Sequence, residues 1–193
     1  TIIKRGWLKN DTGAIEPETW FRYGIKGISL GRNGRPVFKI VVKTKGGHVY
    51  LAKNRPNAID EATRILNILK RMKSVKHKDL GDSLLIPRAI HGKAQSMAIP
   101  DKVEIEIEAQ TVPPQTTTSV LEEIRQLIFN ARKKAAINAD VEIDLLSRPT
   151  SFCEPYVVSK TNSFVKFINK SLEKNLKEKP IFYYRRACKK CQS

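Results

Sequence analysis

The spacing of apolar residues changes several times along the chain. In RPVFKIVVKTK (35–45) β-branched and aromatic residues crowd together, which predicts a strand that ends at Gly46-Gly47. From position 58 the period lengthens. Ala58, Ile59, Ala62, Ile65, Leu66, Leu69 and Met72 recur three and four apart, which predicts a helix. Asn57 is placed to cap it, and Asp60 and Glu61 suit its positive first turn. SLLIPRAIHGKAQSMAIP (83–100) predicts an interrupted strand pair, or a strand and a loop. DKVEIEIEAQTV (101–112) alternates: Val103, Ile105, Ile107 and Ala109 face one way, and Glu104, Glu106 and Glu108 face water. That is the pattern of a half-buried strand in an antiparallel sheet. VPPQTTT breaks the run.

Ser119 and Glu122 have capping-box spacing. Val120, Leu121, Ile124, Leu127, Ile128, Ala131 and Ala135 then predict one apolar helix face, and DVEIDLL (140–146) alternates as another strand. Residues 37 to 146 thus run β-α-β-β-α-β. The fold class is α/β, more narrowly α+β: a ferredoxin-like unit with a four-stranded antiparallel sheet and two helices on one face. Residues 1 to 36 read as loop with short strands. After 147 a third amphipathic helix (Phe164, Val165, Ile168, Leu172) and the strand PIFYY follow, with no obvious partner inside the first unit.

Composition changes the picture mainly through charge. The 193 residues are 40% hydrophobic, enough for a core, and carry a net charge of +17. Such a charge fits an acidic partner or nucleic acid. The basic residues are spread along the chain, however, and the glutamates of 101–112 occupy the sheet face that nucleic-acid-binding proteins of this class use. No long apolar run predicts a membrane span, and no signal peptide is legible. The three cysteines are too few for a disulfide framework, so a cytoplasmic setting is expected. The start at Thr1 suggests a processed, trimmed or truncated product. Cys188 and Cys191 have the spacing of half a zinc site and lack a second pair. Of the three histidines, His77 and His91 lie in polar surroundings and read as solvated. His48 follows the Gly-Gly turn with no neighbouring ligand set. The carboxylate pairs Asp60/Glu61 and Glu122/Glu123 read as helix first-turn acids.

The ordered set of segments resembles the zinc-dependent exopeptidases and deacylases that include carnosinase, aminoacylase, acetylornithine deacetylase and succinyl-diaminopimelate desuccinylase. RGWLKNDTG, YGIKGI, FKIVVKTKGGH, RPNAIDEATRILNIL, MAIPDKVEIEIEAQTVPPQT, SVLEEIRQLI and DVEIDLL carry the resemblance, with EPYVVSKTNSFVKFINKSLEKNLKEKP after them. It implies three regions. Residues 1–27 would be the crossover from a catalytic domain, 28–148 a ferredoxin-like lid and dimerisation domain, and 149–193 the return into the catalytic domain. His48 matches a lid histidine that reaches into a neighbouring subunit's site to contact substrate and steady an oxyanion. Asn57 and Gln110 fall at substrate-contact positions, although the family has arginine where Gln110 stands, and Gln cannot form a bidentate charged pair. The family's metal ligands lie outside the matched segments. The expectation is therefore a truncated or degenerate homologue that binds no cofactor itself, zinc belonging to the family. It is expected to form a homodimer through the lid and to lack hydrolytic activity by itself. A basic nucleic-acid-binding protein and a fragment of an active enzyme are the alternatives.

Overall fold

The computed structural model describes residues 23–149 and 152–185. The strands are β1 (Gly27–Arg32), β2 (Val37–Lys43), β3 (Gly47–His48), β4 (Lys76–His77), β5 (Gly81–Asp82), β6 (Leu84–Gly92), β7 (Ala98–Ile99), β8 (Lys102–Gln110), β9 (Asp140–Leu145), β10 (Tyr156–Val157) and β11 (Ile181–Arg185). The α-helices are α1 (Ala58–Leu69), α2 (Thr117–Lys133) and α3 (Ser163–Leu176). The described residues divide into two compact units, 32–156 and 23–31 with 157–185.

The larger unit is a four-stranded sheet in the order β6-β8-β2-β9. Both central pairings and the β6 pairing are antiparallel. Taking these strands in sequence order, β2, β6, β8 and β9, the sheet order is second-third-first-fourth, the ferredoxin-like arrangement the hydrophobic pattern predicts. Its core is drawn from one sheet face and two helix stripes. Phe38, Ile40 and Val42 of β2 and Val103, Ile105 and Ile107 of β8 meet Ala62 and Ile65 of α1 and Ile124 and Ile128 of α2. Phe38, Ile40, Ile65, Ile105 and Ile124 are wholly buried. Each such side chain contributes about 1.5–3 kcal/mol of burial free energy.

Several details differ from the sequence reading. The cap of α2 is Thr116, with Ser119 as the third residue of a reciprocal capping box. Glu122 and Glu123 consequently fall beyond the first turn. Ala135 lies past the helix end at a φ of 53°, and Ile59 points to solvent with 38% of its surface exposed. Glu61 is buried and is no mere first-turn acid. Its Oε2 accepts the Asn138 N–H at 2.8 Å and its Oε1 accepts Arg64 at 2.6 Å, tying α1 to the segment leading into β9. His77 is half-buried, its Nδ1 accepting the Asp79 and Leu80 N–H groups in the β4–β5 hairpin.

The smaller unit contains α3 and a sheet ordered β10-β1-β11. Ile28 and Leu30 pack with Val165 of α3, joined by Ile168, Leu172 and Phe182. The helix and strand of the C-terminal segment thus find their partner in the strand that precedes the larger unit. Asn162 caps α3 by accepting the Phe164 N–H at 2.9 Å.

Candidate functional site

The expected site residues occupy two ends of the larger unit. His48 and Asn57 lie at one. The turn that presents His48 is built on Gly46 and Gly47, at φ of 53° and 134°. A Cβ on Gly46 would also sit 2.7 Å from the Asp101 Cβ, so glycine is required there on both counts. Arg55 clamps the turn by donating to the Gly46 carbonyl at 3.3 Å. His48 then pairs with Ala98 in the short β3–β7 ladder. Its Nδ1 accepts the Tyr50 N–H at 3.2 Å and so caps a short 3₁₀ turn, Val49–Asn54. With Nδ1 accepting, Nε2 is left to donate to an anion or carbonyl. Tyr50, 88% exposed, and exposed Val49, Leu51 and Met97 form an apolar rim nearby. Asn57 spends its Oδ1 on the Ile59 N–H at 2.9 Å, capping α1, which leaves its amide N–H groups as donors.

Gln110 lies at the other end of β8. That strand has nine residues, each rising about 3.3 Å, so its ends are roughly 26 Å apart. The pairing of Lys43 with Lys102 puts the His48 turn beyond the far end. His48 and Gln110 therefore cannot meet over one small substrate within a single copy. His48 and Asn57 share an end, with no hydrogen bond between them.

Gln110 belongs instead to a charged cluster that the alternation of β8 did not predict. Glu108 has the parity of an outward residue, yet is 6% exposed. Arg35 holds its carboxylate through Nε at 2.8 Å and Nη2 at 3.2 Å, Gln110 donates Nε2 at 3.1 Å, and Arg88 lies 3.7 Å away. The Arg35 hydrogen bond outweighs burial and holds the Glu108 carboxyl below the usual range. Val37 pairs with Glu108, and Arg35, two residues before Val37, reaches the same carboxylate; this register is a contact between distant segments that the local pattern does not carry. Glu104 does face water, where hydrogen bonds from Lys102 and Lys39 draw its carboxyl down to about 2.

Among the described residues no group of three or more His, Cys, Asp or Glu could hold a metal ion. These residues do not fit a metal centre. Cys188 and Cys191 lie outside the described residues; Cys153 is exposed and free. No described helix is long and apolar enough to cross a membrane.

Residues 30–136 match the family model described as the M20 peptidase dimerisation domain. The chain belongs to the M20 peptidase family. This dimerisation domain is accompanied by a curated relative, succinyl-diaminopimelate desuccinylase 1 of Alteromonas mediterranea, 29% identical over 152 residues. That match takes in 78% of this chain and 36% of the relative. The fold is shared with a tripeptidase of Staphylococcus aureus (TM-score 0.62, 14% identity, 84% of this chain and 40% of that one). It is also shared with an M20 family metallo-carboxypeptidase of Sulfolobus solfataricus (0.57, 16%, 81% and 46%) and human carnosine dipeptidase 1 (0.57, 11%, 82% and 45%). The chain therefore spans less than half the length of these relatives. The zinc exopeptidase and deacylase family inferred from sequence is the family found, and the dimerisation domain is the part of it that this chain carries.

Proposed function

We propose that this chain supplies the homodimerisation surface of an M20 metal-dependent peptidase or deacylase, and that β6 is the strand that pairs across a two-fold axis. The contrast between the two edges of the sheet carries this reading. β9 ends the sheet with Asp140, Glu142 and Asp144, and charge on an edge discourages pairing. β6 is nine residues long and leaves Leu84, Ile86 and Ile90 exposed at 43%, 38% and 51%. Its guards are confined to one place, Pro87, Arg88 and the irregularity between Pro87 and Ala89. α1 packs over the β6 side of the sheet and can add its outer face to the same interface.

In this reading the chain binds a second copy and does not cleave a bond by itself. His48 Nε2–H is available to a substrate or oxyanion in the other copy's site, where such a donor is worth a few kcal/mol. Asn57 and Gln110 contact substrate through the donors and acceptors their local bonds leave over. Binding to nucleic acid has less support. On the open sheet face Lys39, Lys43 and Lys102 are matched by Glu104 and Glu142, which leaves no continuous positive surface.

Light scattering on the purified chain at tens of micromolar tests the proposal. A dimer is expected, with Ile86→Lys and Ile90→Lys each shifting it to monomer while circular dichroism stays unchanged. A monomeric parent chain sinks the proposal, and a dimer untouched by either substitution moves the interface away from β6.

A further inference from the structure

Where α1 stops and α2 starts, the larger unit holds a cavity of about 270 Å³. Leu69, Met72, Leu84, Leu85 and Val120 give it apolar walls. The volume falls just below the roughly 300–1,000 Å³ of sites for drug-sized ligands, which sizes its occupant as a small molecule. Much of the polar lining is already spent. Ser74 donates to the Ser83 carbonyl at 2.8 Å, and the Ser83 hydroxyl accepts the Val75 N–H at 2.8 Å. The Gln115 Oε1 accepts the Val112 N–H at 3.3 Å, and Gln110 donates to Glu108.

Two cations remain. Lys70 and Lys73 line the cavity, and no aspartate or glutamate does. The lysines of the open sheet face are matched, Lys39 and Lys102 by Glu104 and Lys43 by Glu142. Among the described residues Lys70 and Lys73 have no such partner. Two lysines and no acid in the lining of a small leucine-walled hollow suit one kind of ligand: an anionic head on a short apolar tail.

We infer that this cavity binds a short aliphatic carboxylate. Its oxygens accept from the Lys70 and Lys73 Nζ groups, and its alkyl chain lies against Leu69, Leu85 and Val120. The site is remote from the His48 turn; it shares Leu84 with the β6 edge and Gln110 with the proposed substrate contacts, and its test reads ligand binding and not the oligomeric state.

The test is an amide-shift titration of the intact chain with hexanoate, against hexanol and acetate as controls for head and tail. Hexanoate is expected to saturate one site, with shifts centred on residues 69–74 and 83–85. Hexanol and acetate should each bind at least tenfold more weakly. Lys70→Gln with Lys73→Gln should weaken hexanoate at least tenfold and leave hexanol unchanged, which also shows that the variant is folded. Three results would overturn the inference. Hexanoate could fail to saturate, or hexanol could match it. Undiminished binding by the double variant would assign the lysines to the α1 C-terminus alone.

Discussion

The Glu108 carboxylate is gripped by Arg35 on one side and Gln110 on another, and the Arg35 bond lowers its pKa from the ordinary 4.5. A carboxyl whose folded pKa is depressed contributes stability above its unfolded pKa and loses it as pH falls through the folded one. The contribution should therefore be whole at pH 5 and above and fade below about 4.5. Glu108→Gln mimics the protonated state. It should cost about 1 kcal/mol at neutral pH, less than the roughly 1.5–3 kcal/mol of a charged hydrogen bond because Arg35 is largely exposed. Urea midpoints of parent and variant should converge as pH falls below about 4.5; a gap that stays constant would rule out ionic anchoring. Alternation along β8 could not reveal this burial, because parity reports which face a residue occupies and not what covers that face. Arg35 covers it from a neighbouring chain segment. Glu61 is the same lesson on a helix. Its position fits a macrodipole acid, while its actual partner, the Asn138 N–H, is 77 residues away. Contacts of that range have no local signature.

Thr116 caps α2 through its side chain, which accepts the Ser119 N–H at 3.1 Å, while the Ser119 hydroxyl accepts the Thr116 N–H at 2.9 Å. Thr116→Ala removes the first of these bonds and should cost about 0.5–2 kcal/mol. For a chain of this size that corresponds to a fall in Tm of about 2–4 °C per kcal/mol. Ser119→Ala removes only the reciprocal bond and should cost less; a larger loss at Ser119 than at Thr116 would restore Ser119 as the cap. β8, β9 and α1 were legible because each keeps one period for five residues or more, and β2 through its crowded β-branched and aromatic residues; β6 was legible only within the interrupted run 83–100. The start of α2 was not, since TTTS offers four hydroxyl residues in a row and spacing alone cannot choose among them. The Thr117 N–H adds a bond to Glu154 at 2.9 Å, again from a distant segment. The His48 turn was legible as a break through Gly46-Gly47. The 3₁₀ turn that His48 caps was not, because VYLAKN carries neither a helical nor an alternating pattern.

At the scale of the whole molecule, the placement of His48 and Gln110 bears on catalysis. Both are expected substrate contacts, yet β8 separates them by roughly 26 Å. An acyl-amino acid or dipeptide spans far less, so His48 and Gln110 do not contact one such substrate within a single copy. In the His48 ring Nδ1 is spent locally on Tyr50, beside the exposed Val49, Tyr50 and Met97. No described cluster could position a metal-bound water against a scissile carbonyl. The purified chain supplied with Zn²⁺, Co²⁺ or Mn²⁺ is therefore expected not to turn over acyl-amino acids or dipeptides, as read by ninhydrin detection of released amine. Metal-dependent turnover that survives repurification and responds to His48→Ala would overturn this and place a complete site within the chain. Turnover indifferent to His48→Ala would remove the histidine from the chemistry while leaving the dimer proposal, which rests on β6, untouched.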